Sequence, residues 1–274
     1  MAQIPQISLS DGQSIPQIGF GTWQVSDDDA HASVLEALRV GYRHIDTAAI
    51  YGNEAGVGRA IAESGIARDD LYVTTKLWND QHKRADARRG IEESLEKLGL
   101  DRLDLYLIHW PSVIKHGDEY IEAWDAMQEF KAEGLVTSIG VSNFHPEHLD
   151  RLNGETPVID QVEIHPTLPQ DELRAELDRR GIKVESWSPL GSGDDLGNES
   201  IAKVAESLGK SVAQVIIRWH LEKGLIVLPK SVTPSRIAEN FDVFDFELGA
   251  ENTAIMDGLD SNNRRGAHPA EADF

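Results

Sequence analysis

Eight strand-like runs alternate with amphipathic helical stretches along this chain, and no linker interrupts the series. The strand candidates QIGFGT, RHIDTA, LYVTTK, LDLYLIH, VTSIGVSN, VIDQVEIH, IKVESWSP and LIVLPK begin near residues 17, 43, 71, 103, 136, 158, 182 and 225. Several are apolar almost throughout, as strands covered on both faces must be. Ser26 with Asp29 opens the first helix and Gly41 closes it. RRGIEESLEKLGL, DEYIEAWDAMQEFKAEG and DELRAELDRRG supply the third, fourth and sixth helices. Such a series predicts an α/β fold, a (β/α)8 barrel forming a single domain over residues 1–274, with a C-terminal tail from about residue 261. An open, doubly wound sheet is the alternative that the alternation permits. Ahead of the first unit, QISLSDGQSIPQ reads as a β-hairpin turning at Asp11-Gly12, placed to close the N-terminal end of the barrel.

Composition narrows the function classes. The chain has no cysteine, which excludes disulfides, thiolate chemistry and cysteine metal sites and fits a reducing cytoplasm. Asp and Glu number 47 against 26 Lys and Arg, a net charge of −21. A surface of that sign repels phosphates, so no nucleic-acid partner is expected. Solubility and adaptation to high salt both account for the charge. No apolar run approaches the ~20 residues of a membrane span, and MAQIPQISLSDG lacks the basic start and apolar core of a signal peptide. The expected partner is a small molecule, bound by a monomer.

In a (β/α)8 barrel the C-terminal strand ends form the active face. Asp46 and Lys76 fall at the ends of the second and third strand candidates, His109 ends the fourth, and Tyr51 lies just beyond the second. An unperturbed tyrosine titrates near ~10, and a nearby ammonium favours its phenolate. Lys76, held and compensated by Asp46, is placed to tune Tyr51 downwards. His109 is then free to orient a carbonyl oxygen. Together the four make a proton donor for a nascent alkoxide, lacking only a hydride source. Singly, each residue has an ordinary explanation: a helix cap or an Arg43 partner for Asp46, a packed ring for Tyr51, a solvated strand end for Lys76, a satisfied interior histidine for His109. Their joint position is what argues for a site.

GYRHIDTAAIYGNE, the lysine of TTKLWN, the histidine of LYLIHWP, and IGVSNF resemble the aldo-keto reductases, in order and over nearly the whole chain. IDTAAIYGNE, VTTKLWND, ESWSPLG, LPKSV and ENFDVFDF bring the chain nearest to the bacterial 2,5-diketo-D-gluconate reductase group. The resemblance implies an NADPH-dependent reductase of aldehydes or ketones. It implies Tyr51 as acid, Lys76 and Asp46 as its tuning pair and His109 as substrate orienter.

No dinucleotide fingerprint is present: Gly19-Phe20-Gly21 lacks the third glycine, and Gly56-Val57-Gly58 does not follow a strand. The resemblance supplies another arrangement. It implies Ser142, Asn143 and Gln161 at the nicotinamide carboxamide and Trp187 stacked on the ring, with Ser188 and Leu190 beside it. Lys230, Ser231 and Arg236 are implied at the 2′-phosphate, and Glu239 and Asn240 at the adenine. Two cations and a hydroxyl suit a phosphate, and a planar aromatic suits a nicotinamide face. Thr233 stands where relatives can carry a further basic residue, which leaves the NADPH preference open.

Trp23, Trp78 and Trp110 each follow a strand end and are read as walls of an apolar substrate slot. Arg264 and Arg265 in the tail are candidate anchors for a carboxylated substrate. His145 and His148 lack a third ligand at metal-binding spacing, so no metal is expected. Diketogluconate is the family-level substrate; small aldehydes and dicarbonyls such as methylglyoxal are the alternative. Two other functions are consistent with a barrel: a non-catalytic nucleotide sensor, and a hydrolase using Asp46 and His109, which leaves Lys76, Trp187 and the cations unexplained.

Overall fold

The structure, a computed structural model, describes residues 4–274. It opens with a hairpin of β1 (Gln6–Ser8) and β2 (Ser14–Pro16), paired antiparallel with Ile7 opposite Ile15. Gly12 sits in its turn at φ 85°, a conformation that side chains resist. Eight parallel strands follow: β3 (Phe20–Gly21), β4 (His44–Asp46), β5 (Tyr72–Leu77), β6 (Leu103–Ile108), β7 (Val136–Ser142), β8 (Ile159–Glu163), β9 (Lys183–Trp187) and β10 (Ile226–Val227). Each pairs with its neighbours in chain order. Ile18 bridges to Val227, the Gly19 N–H donates to the Val227 carbonyl at 2.9 Å, and Val227 N–H donates to Gln17 O at 3.0 Å. These bonds join the first strand to the last and close the barrel.

Between strands the helices bury an apolar stripe outwards of the barrel. The first, Asp27–Val40, is capped as its sequence dictates: Ser26 Oγ accepts the Asp29 N–H at 3.2 Å, and Gly41 at φ 135° ends it. Trp124 and Trp219, fully buried on later helices, anchor the shell between helices and sheet. Burial of a large apolar side chain contributes about 1.5–3 kcal/mol. A second cluster fills the barrel's lower interior, where Leu9 and Ile15 of the hairpin region meet Leu105, Leu107, Ile159 and Ile226. The hairpin thus plugs the bottom, and Asp11 ties it to Ser138 Oγ at 2.7 Å.

Three details depart from the periodicity. The first strand pairs regularly only from Phe20, and at Gly19 the chain runs so close to His44 that a side chain there would come within 2.5 Å of the imidazole. The fifth helix is a single four-residue turn, Pro146–Leu149. Conversely, the segment between β9 and β10 holds two helices, Glu199–Leu208 and Val212–Glu222.

The tail crosses the C-terminal face. Ser261 and Asn263 donate backbone N–H groups to Thr167 O at 3.2 and 3.1 Å, and Arg265 and Gly266 donate theirs to the Glu163 carboxylate at 2.7 and 3.0 Å. The Phe274 backbone oxygen accepts from Asn79 Nδ2 and Ser112 Oγ, both at 2.8 Å.

Candidate active site

The segment after β4 shows what the residues of GYRHIDTAAIYGNE build. Asp46 ends the strand and points inwards. A 3₁₀ turn, Ala49–Tyr51, then lifts Tyr51 over the barrel mouth, and Gly52 at φ 69° ends the turn. Asn53 pins the loop: its Nδ2 donates to Thr22 O and Val25 O, both at 2.9 Å, and its Oδ1 accepts from Thr47 Oγ1 at 2.8 Å. Glu54 accepts from Thr75 Oγ1 at 2.7 Å.

The four predicted residues converge. Lys76, fully buried, donates to Asp46 Oδ1 at 2.7 Å and to Thr47 O at 2.9 Å. Its Nζ lies 5.1 Å from the centre of the Tyr51 ring. Arg43 takes no part: it bonds the Leu38 and Tyr42 carbonyls. His109 meets Tyr51 and Trp78 edge-on, with ring centres 5.6 and 5.1 Å apart.

The electrostatics refine the expected tuning. Burial raises the Asp46 carboxyl, against the pull of Lys76. Burial opposes the Lys76 charge, but Asp46 and its neighbours hold that charge above the ordinary lysine value. Tyr51 moves up, not down: burial dominates, with Asp46 and Glu185 adding to it, and Lys76 only partly offsets them. The phenol therefore stays protonated, and the Lys76 ammonium is placed to lessen the cost of a phenolate at this position. His109 lies well below the usual histidine range, through burial and then the Lys76 charge. Its imidazole is neutral. Among the described residues its Nδ1 is buried without a hydrogen-bond partner; with the proton assigned to Nε2, the ring can donate to a carbonyl oxygen.

One cavity of about 1020 Å³ runs from this centre across the barrel top. Asp46, Tyr51, His109, Trp23, Trp78 and Trp110 line one part of it. Ser142, Asn143, Gln161, Trp187, Ser188 and Leu190 line it as well, and so do Lys230, Ser231, Arg236, Glu239 and Asn240. Lys76 lies beneath, out of solvent.

Several of these polar groups are already engaged. Ser142 Oγ donates to Gln161 O at 2.7 Å. Asn143, at φ 62°, donates to His109 O and Ser142 Oγ and accepts from Trp187 Nε1 at 2.9 Å. Gln161 Nε2 is taken up by Asp46 Oδ2 at 2.9 Å and Glu185 Oε2 at 2.6 Å, which orients the amide and leaves Oε1 for a ligand. A cofactor amide meeting this group finds acceptors more than free donors. At the other end, neither Lys230 nor Arg236 has a carboxylate within 4.0 Å among the described residues, although the protein is strongly acidic. The helix Pro234–Phe241 starts between them with no side-chain cap. Free cations and uncapped N–H groups fit a phosphate.

Residues 17–261 match the Aldo/keto reductase family. The chain belongs to this family. Methylglyoxal reductase DkgA of Escherichia coli (strain K12) is 49% identical over 274 residues, covering 98% of each chain. A protein of the same name from Yersinia pestis is 50% identical over 275 residues, again covering 98% of each. The solved apo form of Gox0644 superposes with a TM-score of 0.95 at 45% identity, over 100% of both chains. A variant of Gox0644 in complex with NADPH does so with a TM-score of 0.95 at 44% identity. As an aldo-keto reductase the chain is an oxidoreductase, and its barrel is the family's (β/α)8 fold.

Sequence reasoning missed three features. Glu185 joins the centre through Gln161, and only its place mid-strand in ESWSP hinted at an inward carboxylate. Phe274, the last residue, stacks parallel to Trp78 at 6.0 Å and edge-on to Trp110 at 5.2 Å, so it walls the slot. His165 is held between Glu163 Oε1 and Asp195 Oδ2, both at 3.1 Å, under the tail. The tail arginines are engaged: Arg265 pairs with Asp194 at 2.8 Å, and Arg264 bonds Gln170 and lies 3.7 Å from Glu163. His145 and His148 meet in a turn, where the His145 N–H donates to His148 Nδ1 at 3.0 Å.

Proposed function

We propose that this aldo-keto reductase reduces small aldehydes and dicarbonyls such as methylglyoxal to alcohols. NADPH supplies the hydride when bound. The observation that carries the substrate reading is the lining of the slot. Trp23, Trp78, Trp110, Ile50 and Phe274 wall it, and among the described residues the only cations lining the whole cavity are Lys230 and Arg236. A sugar acid such as 2,5-diketo-D-gluconate finds no counter-ion there. The names borne by the Escherichia coli and Yersinia pestis relatives support the same reading.

In this reading His109 Nε2–H orients the carbonyl oxygen towards Tyr51. Tyr51 delivers its proton to that oxygen as negative charge develops. Lys76 stabilises the phenolate formed, and Asp46 keeps Lys76 charged and in place. Trp187, packed beneath Gly266 of the tail, is the aromatic face for the nicotinamide. Lys230, Ser231 and Arg236 hold the 2′-phosphate, and the remaining lining residues from Ser142 to Asn240 hold the rest of the cofactor. The same proposal has one domain with its tail closing the slot, acting as a cytosolic monomer.

The test is a comparison of kcat/KM for methylglyoxal, benzaldehyde and 2,5-diketo-D-gluconate with NADPH. A clear preference for the diketo acid would overturn the substrate reading. NADPH binding without oxidation by any carbonyl would favour the nucleotide-sensor alternative.

A further inference from the structure

Below the Asp46–Lys76 pair lies a second buried carboxyl that the reaction described above does not use. Glu185, on β9, is fully buried and sits in register with Gln161 of β8. The Gln161 amide spans the barrel interior, with one N–H on Asp46 Oδ2 and the other on Glu185 Oε2. Among the described residues nothing donates to Glu185 Oε1, and His44 Nε2 lies 3.7 Å from it. That imidazole is neutral, its proton affinity lowered to about 3 by burial and by Lys76. His44 Nε2 instead meets Thr74 Oγ1 at 3.1 Å. A buried carboxylate with one hydrogen bond and no cation in direct contact is costly, whereas a neutral carboxyl is not.

We propose that Glu185 is a positioning residue for the reductase reaction: through Gln161 it fixes Asp46, and by taking up or releasing one charge beneath the site it sets the pH range in which Tyr51 remains a proton donor. The inference rests on Tyr51 being the acid. The groups that face Glu185 are Asp46 and His44 from β4, Lys76 and Tyr72 from β5, Gln161 from β8, and Tyr51 above them. Burial, then the Asp46 charge, raises Glu185 to about 8, so it is neutral at pH 7. Above that it becomes an anion, and an anion there makes both Tyr51 and Lys76 harder to deprotonate. The second carboxyl thus extends the acid form of Tyr51 to higher pH. It also keeps the Gln161 carbonyl oxygen, rather than the amino group, turned towards the cofactor space.

The experiment is the pH profile of kcat for carbonyl reduction and for alcohol oxidation in wild type and in Glu185→Gln, which keeps an acceptor for Gln161 but cannot ionise. The wild type should show an inflection near the value for Glu185, about 8. In Glu185→Gln that inflection should vanish, and the alkaline fall of reduction should move to lower pH together with the rise of oxidation. A packing role alone would scale kcat without moving either limb. Superimposable limbs in wild type and Glu185→Gln would overturn the proposal.

Stability supplies an independent reading. A carboxyl harder to ionise folded than unfolded stabilises the fold less and less as pH climbs from 4.5 to about 8. Glu185→Gln should therefore gain on the wild type across that window, and a constant difference would count against the proposal. Glu185→Asp retains a titrating group and should keep an alkaline inflection, so the charge is testable even if the amide variant folds poorly. Tyr51→Phe separates the layers: if it stays active, the acid assignment fails, whereas an inactive Tyr51→Phe with an unmoved Glu185→Gln profile sinks this inference alone.

Discussion

Replacing Lys76 with methionine removes one charge from the centre of the site and keeps much of the side chain's apolar stem. The ammonium lies 5.1 Å from the Tyr51 ring centre. At an effective dielectric constant of about 20, a unit charge at that distance stabilises the developing phenolate by about 3 kcal/mol. Each 1.36 kcal/mol is tenfold in rate, so kcat for carbonyl reduction should fall by roughly two powers of ten at pH 7. The same change strands Asp46, buried and left with only the Gln161 hydrogen bond. Breaking a buried pair in this way costs about 3–5 kcal/mol of stability. The two effects separate in the double variant Lys76→Met with Asp46→Asn, which removes the stranded carboxylate. Thermal unfolding should recover much of its loss in the double variant, while kcat stays low. The assay is NADPH oxidation followed by the nicotinamide absorbance, with cofactor binding checked separately by tryptophan fluorescence. If Lys76→Met keeps kcat within about threefold of wild type with an unmoved alkaline limb, the ammonium has no electrostatic part in the proton transfer. If activity returns with stability in the double variant, the defect was one of folding.

Three further outcomes are expected. Tyr51→Phe should lower turnover by about 10²–10⁴-fold, the usual contribution of a general acid, while NADPH still quenches the protein's fluorescence. Arg236→Ala should weaken NADPH by about 1.5–3 kcal/mol, roughly tenfold or more, and leave NADH nearly unchanged; equal losses in parallel titrations would leave Lys230 as the phosphate contact. His165 is held above its ordinary value of 6.5: burial opposes its charge, but Asp195 and Glu163 outweigh burial. Stability from a raised histidine is full below 6.5 and fades as pH rises through the higher folded value. His165→Gln should therefore lose more stability at about pH 6 than at about pH 9, read by thermal unfolding at both, and equal losses would reduce His165 to packing.

Sequence by itself determined the barrel and the strand-end places of the candidate site residues. Eight apolar runs separated by capped helices leave few other ways to bury both faces of a parallel sheet. That register put Asp46, Lys76 and His109 at strand ends, and Ser26, Asp29 and Gly41 fixed the first helix. These are local signals, carried within a few residues by period, cap and turn. What sequence could not carry is any relation between residues distant along the chain. The Asp46–Gln161–Glu185 bridge joins three strands across the interior, and no spacing in the chain encodes it. Phe274 enters the slot only because Asn79 and Ser112 receive the final backbone oxygen. Arg264 and Arg265, free on paper, meet Glu163, Gln170 and Asp194 once the tail folds back. Tertiary structure also reversed the direction of the Tyr51 shift. A charged neighbour is legible in sequence, but desolvation depends on everything packed around the phenol, and here that is the larger effect.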